Sequence, residues 1–473
     1  MTISRKGFIG GAAAFAALRP WRAFAAEAGT EPNLRFGVVS DLHVRGKDGK
    51  FGTEAAAKAF AFFRDRGVDG VAIAGDIADD GLVSQLQCVA DAWNEAFPGG
   101  KGLGGKPVEK LFVYGNHDLE GLIYNKSLKP APGDVIVNDR AAAWERVFGE
   151  PYEPIWKKTV KGYSFIGAQW GNWDGVKGLE PYFRDHAAEL RGEKPFFFIQ
   201  HPHPKDTCHG PWAWGHDNGC STKVLSEFPN AVAFSGHSHH PLTDERSIWQ
   251  GSFTSIGTGS LRYVGSVFGR ENAGPSSNDG FKQMPGLNSM EGKNGMLVSV
   301  YDDRIEIERL DFVNGGKLGA DWVFPLPVAG AKPYDFKTRA AAAKAPRFPA
   351  GAKVTVSGPA DGKDRKGRPA RQLTVEFPSA MIGEGLSRAR DYEVVAETEE
   401  YDIRRVAKAK RVYGPGYFKT PGCEGKTVKC VFSLDEIGVC KGPCFAPVVR
   451  FYVRAAESFG KESEPLVSEP VKL

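Results

Sequence analysis

Five short motifs rich in acidic, amide and histidine residues occur along this chain, and each directly follows a run that reads as a buried strand. In order, the motifs are Asp41-x-His43, Gly75-Asp76, Gly115-Asn116-His117-Asp118, His201 and Gly236-His237-x-His239. The preceding runs, which are rich in β-branched and aromatic residues, are 34–40, 68–74, 110–114, 195–200 and 231–235. The motifs therefore stand at carboxyl ends of strands, the edge of an open α/β sheet where crevices form and ligands bind.

Two segments with a helical spacing of apolar residues separate the first three strands. Residues 53–66 begin with Thr53 as a capping residue and end before Gly67, and residues 82–97 form the second segment. This β-α-β-α-β opening predicts a mainly parallel sheet. Segments 162–169, 295–301 and 304–312 look like antiparallel strands of a second sheet, the last two as a hairpin. The predicted fold class is an α/β sandwich of two sheets flanked by helices, followed by an all-β sandwich.

The composition changes after Phe312 to a passage rich in Pro, Ala and Lys, 325–349, which predicts a linker with a short helix at 338–344. Beyond it, segments 353–356, 371–377, 392–397 and 448–454 alternate as strands of a β-sandwich do. The ending, 451–463, resembles the penultimate strand and following turn of fibronectin type III domains. We therefore expect a catalytic domain over 33–330, a linker over 331–347, and a fibronectin type III-like domain with a Cys-rich insertion over 348–473.

Together, the five blocks over 41–239 resemble those of the calcineurin-like metallophosphoesterase superfamily. That family has the pattern D-x-H, G-D-x-x-D/N, G-N-H-D/E, H and G-H-x-H, and every ligand position is matched here. The resemblance implies two metal ions. One would be held by Asp41, His43, Asp76 and His239. The other would be held by Asp76, Asn116, His201 and His237, so that Asp76 bridges both.

The residue types suit this chemistry on physical grounds. Hydrolysis of a phosphate ester requires neutralising an anionic centre and generating hydroxide near neutral pH, and two ions about 3.5 to 4 Å apart can do both. Mixed carboxylate, amide and imidazole ligands favour Mn, Fe, Zn or Co over Mg or Ca. The purple acid phosphatase branch carries a Tyr ligand in the second block, where Ala78 and Asp79 stand here. That branch is therefore disfavoured.

The resemblance also assigns two catalytic residues in the third block. His117 would be the histidine that faces the substrate without binding metal, and it would stabilise the pentavalent charge or protonate the departing oxygen. Asp118 would be the carboxylate that orients His117, fixing its tautomer and raising its pKa.

Segment 203–221 holds an aromatic pair, Trp212 and Trp214, between Cys208 and Cys220 and just downstream of His201. Delivered by the strand before His201, the two tryptophans would form a substrate-binding lip on the metal cleft. An equally weighted alternative is that they pack the loop against the C-terminal domain. Of the remaining histidines, His186 is expected on the solvated surface. His203, His209, His216 and His240 are expected to support or surround the site.

Residues 1–25 resemble an export signal. They hold Arg5, Lys6, Arg19 and Arg22 and no acid, with an apolar run over 8–18 and Ala23-Phe24-Ala25 before a cleavage point. The start resembles a twin-arginine signal with Lys in place of the second Arg, so general secretion is the alternative. The apolar run is too short for a membrane anchor, which needs about 20 residues. A periplasmic or extracellular location follows, with no membrane span after the signal is removed.

Charge gives no reason to expect a nucleic-acid polymer as partner. The chain has 61 basic and 57 acidic residues, and 61 − 4 leaves 57 basic residues beyond the signal. A nearly neutral mature protein has no bulk attraction to nucleic acid or to anionic membranes. The oligomeric state cannot be predicted from these features.

Seven cysteines in an exported chain favour disulfides. Four of them crowd into one polar stretch, where two disulfides are preferred over a zinc cluster because the spacing lacks paired C-x-x-C knuckles: Cys423, Cys430, Cys440 and Cys444. Cys208 and Cys220 could close the loop after His201. Cys88 is expected to be a small buried apolar residue.

These features predict an exported binuclear metal-dependent phosphoesterase acting on small phosphorylated substrates, as mono- or diesters. The alternatives are a hydrolase of pyrophosphate or nucleotide diphosphate linkages, and a non-catalytic surface-binding scaffold.

Overall fold

The computed structural model describes residues 31–46, 52–172, 175–209, 215–265, 289–364, 366–382, 387–400, 403–414, 416–422, 427–438 and 448–473. The predicted signal, Trp212, Trp214 and three of the four crowded cysteines (Cys423, Cys440 and Cys444) lie outside the described residues. Among the helices that are described, none is long and apolar enough to cross a bilayer.

The first sheet has six strands: β1 (Leu34–Val39), β2 (Gly70–Ala74), β3 (Glu109–Val113), β10 (Asn294–Val300), β11 (Arg304–Asp311) and β12 (Trp322–Pro325). Their order is β12-β11-β10-β1-β2-β3. Strands β1, β2 and β3 run parallel, with Val38 opposite Ala72 and Ala72 opposite Leu111. Strand β10 pairs antiparallel with β1. The segments that follow β1, β2 and β3 therefore leave the sheet at one edge, as predicted.

The second sheet also has six strands: β4 (Ile155–Val160), β5 (Tyr163–Ala168), β6 (Phe196–Ile199), β7 (Ala231–Ser235), β8 (Ile248–Gln250) and β9 (Thr254–Gly257). Their order is β4-β5-β6-β7-β9-β8, and β5, β6, β7 and β9 are parallel. The predicted hairpin at 295–312 belongs to the first sheet, so its expected place in the second sheet is wrong. The second sheet is instead a further parallel set, because α-helical segments separate β5, β6 and β7.

The two sheets pack face to face around an aromatic core. Phe36 of β1 contacts Phe165, Phe197 and Phe234 of the second sheet, at ring-centroid distances of 5.1, 4.8 and 5.8 Å. Apolar side chains from both sheets form one continuous buried cluster, which holds the two sheets against each other.

Helices cover the outer faces of both sheets. Against the first sheet lie α1 (Thr53–Asp65), α2 (Val83–Ala96) and α4 (Arg140–Phe148), and α3 (Asn116–Tyr124) stands at its edge. Against the second lie α5 (Leu179–Asp185), α6 (Ala187–Leu190) and α7 (Cys220–Leu225). Thr53, expected to cap α1, is its first helical residue, and Gly52 occupies the cap position. Cys88 in α2 is half-buried against the core, and its thiol contacts the carbonyl oxygen of Ser84.

A helix, α8 (Phe336–Ala342), lies within the predicted linker. It is followed by two all-β sheets around one core, in the orders β13-β14-β17 and β16-β15-β18-β19, with β20 paired to β18. Their elements are β13 (Thr355–Lys363), β14 (Pro369–Pro378), β15 (Asp391–Glu400), β16 (Ile403–Val412), β17 (Thr427–Ser433), α9 (Leu434–Ile437), β18 (Val448–Ala456), β19 (Leu466–Val467) and β20 (Val471–Lys472). The predicted C-terminal β-sandwich is therefore present.

A buried polar network joins the C-terminal sheets to the catalytic part. Asp244 bonds Arg246 through both carboxylate oxygens, at 3.0 and 2.8 Å, and all of these side chains are buried. From the C-terminal part, Arg390 lies 3.6 Å from Asp244 and the hydroxyl of Tyr417 donates to it at 3.3 Å. Beside this network, Val264 packs with Tyr417 in a small apolar cluster.

Candidate metal centre

The side chains predicted to bind metal meet where the open edges of the two sheets adjoin. Asp41 and His43 follow β1, Asp76 follows β2, Asn116 begins α3 after β3, His201 follows β6, and His237 and His239 follow β7. All seven are buried, at 4% exposure or less. Two separate sheets therefore supply one cluster of carboxylate, amide and imidazole groups.

One half of the cluster contains Asp41, His43 and His239. The Nε2 atom of His239 lies 2.9 Å from Oδ1 of Asp41 and 3.2 Å from Nε2 of His43. These three residues can offer donor atoms that lie within 4.8 Å of one another, a spacing that could hold an ion.

The other half contains Asp76, Asn116, His201 and His237. The Nε2 atom of His201 lies 3.2 Å from Oδ2 of Asp76, 3.0 Å from Oδ1 of Asn116 and 3.1 Å from Nδ1 of His237. The same Asp76 oxygen is 3.5 Å from Nε2 of His43 in the first half. Asp76 thus stands between the two halves, where a bridging carboxylate would have to be.

The hydrogen bonds behind the imidazoles test whether the cluster suits cations. The Nδ1 atoms of His201 and His239 lie 2.8 and 3.0 Å from the carbonyl oxygens of Ala74 and Tyr263. A carbonyl only accepts, so each Nδ1 donates and, in the neutral ring, each Nε2 keeps a lone pair aimed into the cluster. The Nδ1 of His43 is held in the same way by Asp79, at 2.9 Å. Lone pairs that face each other at about 3.2 Å, as in His43 and His239, repel unless a cation lies between them.

The backbone at the site is bent into a conformation that non-glycine residues seldom adopt. Five of the seven residues have positive φ, at 52° for Asp41, 44° for His43, 52° for Asp76, 68° for His237 and 54° for His239. Each costs on the order of 1–3 kcal/mol and persists only where the surroundings enforce it. Such strain is typical of functional sites, and here it turns successive side chains toward one point.

Motif glycines allow the segments to approach each other closely. A Cβ atom on Gly115 would lie 2.2 Å from Oδ1 of Asp76, and one on Gly236 would lie 2.5 Å from Oδ2 of Asp41. The backbone amides beyond these glycines hold the same carboxylates, because the N–H of His117 donates to Asp76 at 2.8 Å. The N–H of His237 likewise donates to Asp41 at 3.1 Å. Both carboxylates are thereby oriented by the motifs opposite them.

The acids of the cluster are charged at neutral pH. Burial acts to raise the pKa of Asp41, but the adjacent His239 outweighs it and lowers the pKa to about 2. Burial likewise opposes a lower pKa at Asp76, where His201 and other imidazoles hold it well below its usual value. Anionic ligands are what a pair of cations requires.

His117 stands beside the cluster, but Asp118 does not orient it. The carboxylate of Asp118 accepts backbone N–H groups of Ile77, Ala78 and Gly115 at 3.2, 2.7 and 2.7 Å. The predicted role of Asp118 is therefore wrong, because its side chain points back to tie the second motif to α3. The ring of His117 is held instead by Asp79.

Asp79 holds two histidines at once. Its carbonyl oxygen lies 2.8 Å from Nδ1 of His117, and its carboxylate oxygen Oδ1 lies 3.5 Å from that nitrogen and 2.9 Å from Nδ1 of His43. The other carboxylate oxygen contacts Arg45. Sequence reasoning noted Asp79 only as the residue standing where another branch has a tyrosine. The sequence signal that could have identified Asp79 as a site residue is that it occupies the D/N position of the second motif.

Three further neighbours of the site were also missed. The ring of Tyr263 lies 4.3 Å from that of His239, and Trp170 stacks on His237 at 6.4 Å. Tyr124 stacks on His117 at 4.6 Å. Tyr263 and Trp170 sit in loops without a motif, whereas Tyr124 falls on the same face of α3 as Asn116, eight residues on.

The four histidines expected to support or surround the site, His203, His209, His216 and His240, lie beside the loop that carries His237 and His239. His203 contacts the hydroxyls of Ser235 and Ser238 at 2.9 and 2.6 Å, which braces the loop carrying His237 and His239. His209 stacks on His240 at 3.8 Å and His216 contacts the carbonyl oxygen of Cys208. His186 is half-buried and stacks on Tyr182, so it is less solvated than expected.

Cys208 and Cys220 do not form the suggested disulfide. Both are free thiols, and Cys208 is buried beside Ser255 while Cys220 lies near Asp217 at the start of α7. The stretch 215–219 between them instead pairs with the segment after β6 through an isolated bridge of His216 with His203.

Comparison with known proteins identifies the family of this part of the chain. Residues 34–241 match the family model described as calcineurin-like phosphoesterase, and this part of the chain is a calcineurin-like phosphoesterase domain. With its histidine and aspartate cluster, the domain makes the chain a metal-dependent phosphoesterase. A search of curated protein sequences found no match.

Solved structures with a similar arrangement include a dimetal phosphatase from Danio rerio, at 11% identity and TM-score 0.40, covering 62% of this chain and 99% of that one. Another is the purple acid phosphatase PPD1 from yellow lupin (Lupinus luteus) seeds, at 12% identity and TM-score 0.43, covering 64% and 57%. A third is Vacuolar Protein Sorting 29 from Cryptosporidium parvum, at 10% identity and TM-score 0.31, covering 62% and 98%.

Proposed function

We propose that this protein is a binuclear hydrolase of small phosphate mono- or diesters. The observation that carries the proposal is the pair of histidine and carboxylate clusters that share Asp76. One ion would be held by Asp41, His43, Asp76 and His239, and the other by Asp76, Asn116, His201 and His237. The donor set favours two transition-metal ions drawn from Mn, Fe, Zn and Co.

When bound, the two ions would supply hydroxide at neutral pH and neutralise the charge of the phosphate. The residues of the chain do the rest. Asp41 and Asp76 stay ionised. Asp79 holds the Nδ1 atoms of His43 and His117 and thereby fixes both rings. Because Nδ1 of His117 is engaged by the carbonyl of Asp79, Nε2 is the atom that can hold a proton for the departing oxygen.

His117 is placed to meet a substrate. Its side chain is 25% exposed, whereas the side chains of His43 and His201 are almost completely buried. Its ring meets the ring of His43 edge to face at 4.5 Å, so it borders the first half of the cluster from the solvent side. The leaving group of a phosphate ester bound between the ions would therefore lie close to His117.

The proposal extends to location and to the C-terminal part. Residues 1–25 act as an export signal and place the protein in the periplasm or outside the cell. The C-terminal β-sandwich is fibronectin type III-like, and disulfides form within its Cys-rich insertion. Signal cleavage is checked by mass spectrometry of the secreted protein, and disulfides by thiol labelling before and after reduction.

The test replaces the shared carboxylate. Asp76→Asn should lower bound metal from two ions per chain and reduce turnover by orders of magnitude, because it removes the anion common to both halves. Metal content is measured by elemental analysis, and turnover on monoesters, diesters and pyrophosphate with Mn, Fe, Zn or Co. Asp303→Asn, on a surface turn, is the matched control. Near-native turnover with two ions in Asp76→Asn would refute the site, and preference for pyrophosphate would favour the diphosphate alternative.

A further inference from the structure

A directed chain of hydrogen bonds runs along one face of α3. Asn116, Glu120 and Tyr124 are four residues apart, so their side chains line up on successive turns. The Nδ2 atom of Asn116 donates to the hydroxyl of Tyr124 at 3.2 Å, and that hydroxyl donates to Oε2 of Glu120 at 3.0 Å. The indole N–H of Trp170 donates to the other oxygen of Glu120 at 3.2 Å.

The direction of this chain determines which end of the Asn116 amide faces the metal cluster. A carboxylate only accepts, so Glu120 accepts the hydrogen bond of the Tyr124 hydroxyl, and the phenol oxygen accepts from Asn116. With Nδ2 held outward, Oδ1 points inward, where it lies 3.0 Å from Nε2 of His201. A reversed amide would aim N–H groups at a cation and remove a ligand.

The ring of Tyr124 acts on a second residue. It stacks on His117 with centroids 4.6 Å apart and planes 29° apart, while His43 meets the same imidazole edge to face at 4.5 Å. Together with the bond from Nδ1 to Asp79, this contact leaves His117 one orientation. Tyr124 thus touches both the predicted amide ligand and the predicted acid.

Packing alone does not explain a tyrosine at this position. The residue is 52% exposed, and its neighbour Ile123 is 62% exposed. A half-exposed ring contributes little burial energy, so its loss should leave the fold intact.

We infer that Tyr124, held by Glu120, is a positioning residue that fixes the Asn116 amide for the ion and the His117 ring for the leaving group. Only the role toward His117 rests on the proposed function, because the role toward Asn116 concerns ion binding alone. The effect on ion binding is measured without any substrate.

Two substitutions separate the hydroxyl from the ring. Tyr124→Phe keeps the stacked ring and removes the hydroxyl, so affinity for one of the two ions should fall about tenfold or more, as for other groups that orient metal ligands. The ratio of kcat on alkyl phosphate to kcat on nitrophenyl phosphate should not change. Tyr124→Leu removes the ring as well, so that ratio should also fall. Ion affinity is measured by titrating the metal-free protein with Mn, Co or Zn in a calorimeter.

The chain offers a matched control in Tyr182, which stacks on His186 at 4.2 Å on another helix away from the site. Tyr182→Leu should change neither ion affinity nor the leaving-group ratio. Wild-type ion affinity in Tyr124→Phe would overturn the role toward Asn116, and an unchanged ratio in Tyr124→Leu would overturn the role toward His117. If the unaltered protein binds two ions but cleaves no phosphate ester, the proposed function fails while the ion measurement still decides the role of Tyr124.

Discussion

The backbone carbonyl of Asp79 accepts a hydrogen bond from Nδ1 of His117 at 2.8 Å. The second motif thereby sets the tautomer of a residue in the third. A backbone carbonyl does not ionise, so it accepts from Nδ1 whether or not the Asp79 carboxylate is protonated. The Nε2 atom of His117 therefore remains available to donate a proton to the substrate.

Loss of His117 should depend on the leaving group. His117→Ala should lower kcat by about 10²- to 10⁴-fold on alkyl phosphates, whose departing oxygen needs a proton. Nitrophenyl phosphates, whose leaving group is stable as an anion, should lose far less. Steady-state kinetics on both substrates check this, with His186→Ala as the control. Equal losses on both would indicate charge stabilisation or positioning rather than proton transfer.

Asp118→Asn should affect stability and leave the preference for leaving groups unchanged. The amide of Asn would turn N–H groups toward backbone N–H donors of Ile77, Ala78 and Gly115, at a cost of about 1–3 kcal/mol for the donors left without acceptors. Chemical denaturation measures the loss, and the ratio of turnover on alkyl and nitrophenyl phosphates measures the orientation of His117. A ratio that shifts as it does in His117→Ala would restore the orienting role for Asp118.

Gly115→Ala should empty the metal centre. The added Cβ would lie 2.2 Å from Oδ1 and 2.4 Å from the backbone nitrogen of Asp76, so the carboxylate shared by both halves must move. Bound metal should fall below two ions per chain. Gly149→Ala is the control, because that glycine has φ of 69° with nothing near its Cβ position. It should cost about 1 kcal/mol of stability with full metal content, and two tightly bound ions in Gly115→Ala would contradict the prediction.

The contact between the two parts of the chain should depend on pH through Asp244. Burial acts to raise the pKa of Asp244, but the charge and hydrogen bonds of Arg246, with Arg390 nearby, hold it well below its usual value. A depressed pKa in the folded state adds stability that is present above the unfolded pKa of about 4. That stability is lost as pH falls toward the folded pKa.

Asp244→Asn should therefore cost about 3–5 kcal/mol at pH 7, since it strands buried arginines. The difference from the unaltered protein should shrink below about pH 4. Thermal unfolding across this pH range measures it. Asp303→Asn, which removes a pair with Arg304 on a carboxylate 75% exposed, should cost less than about 1 kcal/mol. A difference for Asp244→Asn that stays constant with pH would count against the ion pair.

Trp212 and Trp214 remain a prediction from the sequence. If they form a lip that stacks on a base or sugar, Trp212→Ala and Trp214→Ala should lower kcat/KM for such substrates by the equivalent of about 1–3 kcal/mol each. Metal content and turnover of small nitrophenyl esters should not change. Unchanged kinetics on every substrate together with a lower melting temperature would support packing instead.

The clustering of these seven side chains could be predicted because each belongs to a short motif at the end of a recognisable strand. The parallel order of β1, β2 and β3 then brings Asp41 and Asp76 together without further information. The place of β10 and β11 was predicted wrongly because a hairpin can join the edge of either sheet, and apolar patterning does not distinguish the two.

The supports of the cluster could not be predicted in the same way. Asp118 and Asp79 are both acids near His117 in sequence or in space. The backbone conformation directs the carboxylate of Asp118 to backbone amides and that of Asp79 to two imidazoles, and the sequence does not show this. His239 donates to the backbone carbonyl of Tyr263, and a backbone group cannot be recognised from the type of residue that carries it. Tyr124 was missed because no helix was predicted after Asn116, although its spacing of eight residues would place it on the same helical face.

The division of the seven site residues between two sheets has a consequence for how the protein is assembled. Neither sheet alone carries a complete set of donors for either half of the cluster, so the centre exists only after Phe36 has docked against Phe197 and Phe234. Ions that bind only the docked form shift the equilibrium toward it. If docking completes after the folding barrier, their effect falls on the unfolding rate rather than on the folding rate. Where metal ions are scarce, the protein would then unfold faster and also lack activity.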